Sequence, residues 1–296
     1  MKTHMNNYFH MGLHKTGSTS FQNFLSLNKL VLMDVGILYP NIDNNEESHW
    51  KIPNQIILEN WTYLENYFKE IILIANKNNL KTIFISSEDI SILLTESYRV
   101  KKIENLITSL GITEIEWVCV LRNQWDYFNS LYAEMSKHKV CLNYASAGEE
   151  IINFGEISMG NDRFRYRFAF DYDYFIEKFL GETKGSFSAI SYKSFISNKF
   201  IGKELINTYI DSDKKTQFWL SNLIKSEKIN SRPDADTVEI DYLANFLGIS
   251  MTNEIFENNQ NSFVPIIQNR HGMIDLVSKD LHNRFLERFP IVSNFL

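Results

Sequence analysis

The segment NYFHMGLHKTGSTSFQNFL (residues 7–25) constrains this chain more than any other stretch. It passes from a short apolar run through a loop with two glycines into the helical spacing of Phe21, Phe24 and Leu25. A strand, a glycine loop and a helix in that order gather backbone N–H groups around one point. The helix N-terminus adds partial positive charge there, which suits an anion. Gly12 and Gly17 permit tight backbone geometry, and Thr16, Ser18 and Thr19 add hydroxyl donors. Lys15 can reach a bridging oxygen of a phosphoanhydride-like group. The order differs from the nucleotide-triphosphate loop G-x-x-x-x-G-K-(S/T), in which the lysine follows the last glycine. Here Lys15 precedes Gly17. An ordinary turn rich in Thr and Ser is the plain alternative.

The same alternation continues along the chain. Short apolar, β-branched or aromatic runs predict strands at 7–12, 81–86, 115–121 and 186–191. Helical spacing separates them: Trp61, Leu64, Phe68, Ile71 and Ile72, then IENLITSLG (103–111) closing on Gly111 as a C-terminal cap, then WDYFNSLYAEM (125–135). Such alternation implies an α/β fold, a three-layer parallel sheet with helices on both faces. The later part is more helical, in FIEKFLG, IGKELINTYI, VEIDYLANFLG and IDLVSKDLHNRFLERF, and the Asn-rich pieces at 41–48 and 253–262 read as loops. No internal repeat or linker is evident, so a single domain over 1–296 is expected.

Composition narrows the partners. With 296 residues, 44% hydrophobic and 22% charged, the chain falls in the ordinary globular class. A net charge of -6 argues against nucleic acid as the main partner. A small anion is still compatible, because a local loop can bind phosphate on an acidic protein. Apolar runs such as EIILIAN (70–76) fall far short of the roughly 20 residues a membrane span needs. The start MKTHMNN lacks the pattern of a signal peptide. Two cysteines, Cys119 and Cys141, make no disulfide framework, and Cys119 within IEWVCVL reads as a buried strand residue. A cytoplasmic protein with no integral membrane segment is expected.

The loop GLHKTGSTSFQ resembles the 5′-phosphosulfate loop of sulfotransferases, Gly-x-x-Lys-(Thr/Ser)-Gly-(Thr/Ser)-(Thr/Ser). A second stretch, VCVLRNQWDYFNSLY, resembles the same family's 3′-phosphate motif, R-(N/D)-P-x-D-x-x-x-S-x-Y, with Arg122, Asn123, Asp126, Ser130 and Tyr132 in register and Gln124 in place of proline. A guanidinium and a hydroxyl near a strand end suit a terminal phosphate; a solvated Arg and a helix-surface Ser are the plain alternative. The resemblance covers about 7–192, the cofactor half, and leaves a more helical part at about 193–296. It implies a P-loop-like sulfotransferase fold and 3′-phosphoadenosine-5′-phosphosulfate (PAPS) as sulfonate donor. Adenosine 3′,5′-bisphosphate would be the product, with no metal. The acceptor it implies is a small-molecule or glycan hydroxyl, with a carbohydrate or glycolipid favoured.

Sulfonate transfer to an alcohol needs a base beside the acceptor hydroxyl. The predicted second strand runs into SSEDI, which puts Glu88 at the C-terminal edge of the sheet, where open α/β sheets bind ligands. The family's His or Glu bases make Glu88 the first candidate, with Asp89 its rival and a helix-capping carboxylate the bland alternative for either. By resemblance Tyr192 in FSAISYKSF would lie beside the adenine, Arg270 and Gly272 in QNRHGM over the 3′-phosphate, and His49 on the acceptor side. A core aromatic, a solvated helix entry and a surface histidine are the respective alternatives. His10 and His14 flank the loop but not on a helix, so they make no recognisable metal pair. RFRYRFAF (163–170) alternates basic and aromatic residues, as an edge strand on an aromatic core or a face for an acidic glycan. A nucleotide kinase with an altered lysine loop, or an inactive nucleotide-binding protein of the same fold, are the competing functions.

Overall fold

The computed structural model describes residues 5–40, 47–138, 140, 142–161, 164–221, 223–225, 235–247, 274–275 and 277–289. Cys141, Arg163, Arg270, Gly272 and most of the two Asn-rich pieces lie outside them. Two compact units can be distinguished: Met1–Arg122 with Asp173–Asn230 and Phe295–Leu296, and Asn123–Tyr172 with Ser231–Asn294.

The first unit is an α/β layer structure around a five-stranded sheet. Its strands are β1 (Asn6–Gly12), β2 (Ile37–Leu38), β3 (Thr82–Ser86), β4 (Glu114–Leu121) and β7 (Ser186–Ser191). They run in the order β2-β3-β1-β4-β7 and every pairing is parallel. The four sequence-predicted strands are all present; the two-residue edge strand β2 is too short to leave a pattern. Ile83–Ile85 and Trp117–Leu121 are fully buried, as expected of strands covered on both faces.

Alternating side chains of β1 meet helices on opposite sides of the sheet. Phe9 stacks on Trp117 at 4.3 Å and meets Phe68 of helix Trp61–Lys77 edge-on at 6.2 Å. His10, pointing the other way, meets Phe21 of helix Ser18–Leu27 at 5.0 Å. Helix Trp61–Lys77 starts at Asn60, whose side chain accepts from the Tyr63 N–H, and buries Leu64, Phe68, Ile71 and Ala75 along one stripe. Helix Val100–Ser109 is followed by Gly111 at φ 104, whose N–H donates to the Thr108 carbonyl. Glycine serves there because that backbone conformation penalises a Cβ.

Glu104, 2% exposed, ties the far side of the sheet together. Its carboxylate accepts from the Trp117 indole N–H at 2.7 Å, the Lys184 N–H at 2.8 Å, the Gly185 N–H at 3.4 Å and the Thr183 hydroxyl. It therefore links β4 to the turn that leads into β7.

In the second unit, helix Gln124–Met135 is capped by Asn123, whose side chain accepts from the N–H groups of Trp125 and Asp126. Gln124, where the resembling motif has proline, is buried and donates to the Phe170 carbonyl at 3.3 Å. Proline could not make that bond. The antiparallel pair β5 (Glu156–Asn161) and β6 (Phe164–Ala169) forms a separate two-stranded sheet. The alternating RFRYRFAF stretch is thus extended: Phe168 is buried while exposed Arg167 pairs with Glu156. Helical residues 277–288 bring Phe285 onto Phe128, and Arg284 forks onto Glu149.

Glu104→Ala would leave the buried Trp117 indole and the Lys184 N–H without their acceptor, while the Gly185 N–H keeps Thr183 Oγ1 at 3.0 Å. We expect a loss of about 3 kcal/mol or more of stability, read from urea unfolding. Glu104→Gln, which keeps one carbonyl acceptor, should lose less. Equal parental and Glu104→Ala midpoints would refute this account of the sheet edge.

Candidate functional site

β1 is hydrogen-bonded on both sides to its end, with His10 opposite Ser86 and Gly12 opposite Val120. The ladders run on past the strand: Leu13 N–H donates to the Val120 carbonyl, and Ser87 N–H to the His10 carbonyl. Beyond Leu13 the chain turns sharply. Lys15 has φ 63 and Gly17 φ 79, both left-handed, and the Thr16 hydroxyl donates back to the Leu13 carbonyl at 2.5 Å. The loop returns so close to Gly12 that a Cβ there would lie 3.1 Å from Thr16 Oγ1 and 3.2 Å from Ser18 Cβ. Helix Ser18–Leu27 then begins, aiming its first N–H groups at the loop.

A lysine at positive φ costs about 1–2 kcal/mol relative to a right-handed residue. Arg122, just past the end of β4, offsets part of this: its Nη1 donates to the Lys15 carbonyl at 2.7 Å. The same guanidinium lies 4.8 Å from the ring centre of Tyr192, which opens helix Tyr192–Ile196 after β7. Two of the predicted cofactor residues, from distant parts of the chain, therefore meet beside the loop.

The end of β3 supplies acid. Glu88 begins the 3₁₀ turn Glu88–Ser91, and its Oε2 accepts from the Ser18 hydroxyl at 2.5 Å. His14 sits between two carboxylates, with Nδ1 3.7 Å from Glu88 Oε1 and Nε2 3.5 Å from Asp89 Oδ1. Sequence reasoning weighed His14 only for metal binding; its place in the loop, two residues after Gly12, was the available signal for this contact. Gly12, Lys15, Thr16, Gly17, Ser18, Thr19, Glu88, Arg122 and Tyr192 all belong to the first unit, at the C-terminal edge of the sheet or beside it. Ser130 is buried on a helix of the second unit.

His49 is 7% exposed and spends both ring nitrogens on backbone. Nδ1 accepts from the Ser86 N–H at 3.0 Å and Nε2–H donates to the Pro40 carbonyl at 2.8 Å. Burial lowers its pKa. His10, also buried, has Nδ1 2.8 Å from Ser86 Oγ, and burial pulls its pKa from 6.5 down to about 3. Cys119 is fully buried in β4, its thiol pushed up to about 12.

The arrangement can hold a tetrahedral oxyanion against helix N–H groups, a lysine and an arginine, with a carboxylate one hydroxyl away. The left-handed turn at Lys15 and the donors of the first helical turn suit a phosphate-like group. Among the described residues no group of three or more His, Cys, Asp or Glu is placed to hold a metal ion, and no helix is long and apolar enough to cross a membrane. The second unit contains a cavity of about 200 Å³ bordered by Tyr132, Tyr144, Asn129 and Glu239. No model of a known protein family matches the chain, and no curated protein matches it at a significant level.

The two buried histidines give a pH dependence of known sign. The unfolded chain protonates His10 near 6.5, whereas the folded protein resists until about 3. Stability from this group is therefore complete above 6.5 and falls as pH drops, at about 1.4 kcal/mol per unit. Between pH 6.5 and 5 His10 alone should cost about 2 kcal/mol, and His49 adds in the same direction. Urea midpoints should fall over that range, with a shallower fall in His10→Gln. An unchanged pH slope in that variant would assign the acid sensitivity elsewhere.

Proposed function

We propose that this chain is a sulfotransferase that moves a sulfonate group from PAPS to an acceptor hydroxyl, with a carbohydrate or glycolipid acceptor favoured by the resemblance. The observation that carries the reading is the meeting of phosphate loop and carboxylate: Ser18, in the first turn of the loop's helix, is bonded to Glu88. An anion cradle and a proton acceptor thus adjoin at one sheet edge. Arg122, held against the Lys15 carbonyl and the Tyr192 ring, supplies a fixed cation beside them.

When bound, PAPS supplies an activated sulfonate on a phosphate leaving group. Glu88 takes the proton of the acceptor hydroxyl as that oxygen bonds to sulfur. The bond from sulfur to the bridging oxygen breaks, and its electron pair stays on the departing phosphate. Lys15 and the N–H groups at the start of helix Ser18–Leu27 stabilise the charge that develops there. The proton ends on Glu88, the sulfonate on the acceptor, and adenosine 3′,5′-bisphosphate is left.

Two measurements test this. Glu88→Gln, nearly isosteric but unable to accept a proton, should keep the fold and lose about 10²–10⁴-fold in transfer rate, with Asp89→Asn mild. A near-parental rate in Glu88→Gln would place the base elsewhere. In calorimetry the parent should prefer adenosine 3′,5′-bisphosphate to AMP, and Arg122→Ala should erase most of that preference, about 1.5–3 kcal/mol for a charge-assisted contact. Equal affinities for both nucleotides in the parent would remove Arg122 from 3′-phosphate recognition.

A further inference from the structure

The bond between Ser18 and Glu88 raises a conflict over one proton. Ser18 is 1% exposed and its hydroxyl, with a single hydrogen, donates to Glu88 Oε2 at 2.5 Å. The other buried hydroxyl of the loop, that of Thr16, is committed to the Leu13 carbonyl. An anion seated on the N–H groups of the first helical turn lies beside Ser18, and a hydroxyl cannot donate its one hydrogen to both a carboxylate and a phosphate oxygen. We infer that Ser18 couples the two halves of the site: its hydroxyl, bonded to Glu88, turns its hydrogen to the anion when the loop binds one. This rests on the sulfotransferase reading above.

The consequence is a sequence of events. Glu88 is engaged by Ser18 on one oxygen and faces His14 at 3.7 Å on the other. Turning Ser18 toward the anion removes a charge-assisted donor from Glu88 and leaves that oxygen open to the acceptor hydroxyl. Binding of the sulfonate donor therefore precedes productive engagement of the acceptor. The surroundings of Glu88 contain other charged or titratable groups that this exchange does not involve. Asp89 and His14 flank it, Lys15 lies in the loop, and His10 lies beneath on Ser86. Lys51, on the packed helix Lys51–Ile57, is over the Trp50 ring.

Calorimetric binding of adenosine 3′,5′-bisphosphate reads the coupling without any turnover. In the parent, Glu88 opposes the ligand twice, by its charge and by its hold on Ser18. Glu88→Ala should therefore tighten binding about ten-fold or more. In a Ser18→Ala background only the charge remains, and the same substitution should tighten binding by a clearly smaller factor. Ser18→Thr, which keeps a hydroxyl, should restore the full difference, and Glu88→Leu, which likewise has no acceptor for Ser18, substitutes for Glu88→Ala if the latter fails to fold. Equal factors with and without the hydroxyl would overturn the coupling while leaving the sulfotransferase reading standing. No binding by the parent would overturn the reading and the coupling together.

Discussion

The pairing of β1 on both sides is the constraint from which the site follows. A strand held by β3 on one flank and β4 on the other cannot slide, because a one-residue slip would exchange Phe9 and His10 between two differently lined faces. Its end is therefore a fixed point, and the ends of β3 and β4 are fixed with it. β1 is also the place where strand order reverses, with β3 leading outward one way and β4 the other. At such a point the connections after neighbouring strands diverge and leave a crevice at the carboxyl ends. The loop, Glu88 and Arg122 stand around that crevice because each follows one of these three strands.

Fixed ends allow the loop to carry strain. Lys15 adopts a left-handed backbone that an isolated turn would give to glycine, and it keeps it because its carbonyl is bonded to Arg122 and Thr16 closes on Leu13. The same arginine that would meet a phosphate thus also shapes the loop, so its replacement acts on structure and on binding together.

Beneath the loop a buried polar chain crosses the strands. His10 meets the Ser86 hydroxyl, the Ser86 N–H meets His49, and His49 donates to Pro40. Both rings remain neutral because burial disfavours the charged form. Neutral histidines give directional hydrogen bonds without adding positive charge under a site that already has Lys15 and Arg122. A buried imidazolium there would lack a compensating carboxylate on these contacts and would cost far more.

The alternation of strand and helix, the four long strands and the loop between Gly12 and Ser18 were legible in the sequence, since hydrophobic period, glycine placement and strand composition are local properties. So was Glu88 as an acid at a strand end. The short strand β2 was not, because two residues have no period, and Gln124 in the proline position acquired its reason only from the Phe170 carbonyl. His49 read as a histidine of the acceptor side; the fold turned both its nitrogens onto backbone, which no spacing records. The contacts of Ser18 with Glu88 and of Lys15 with Arg122 join residues 70 and 107 positions apart. Local physics chose the elements and where charge and hydroxyls stand on them. Only the parallel pairing of β1 with β3 and β4 brought those groups together, because strand order and register depend on packing between segments that are far apart in the chain.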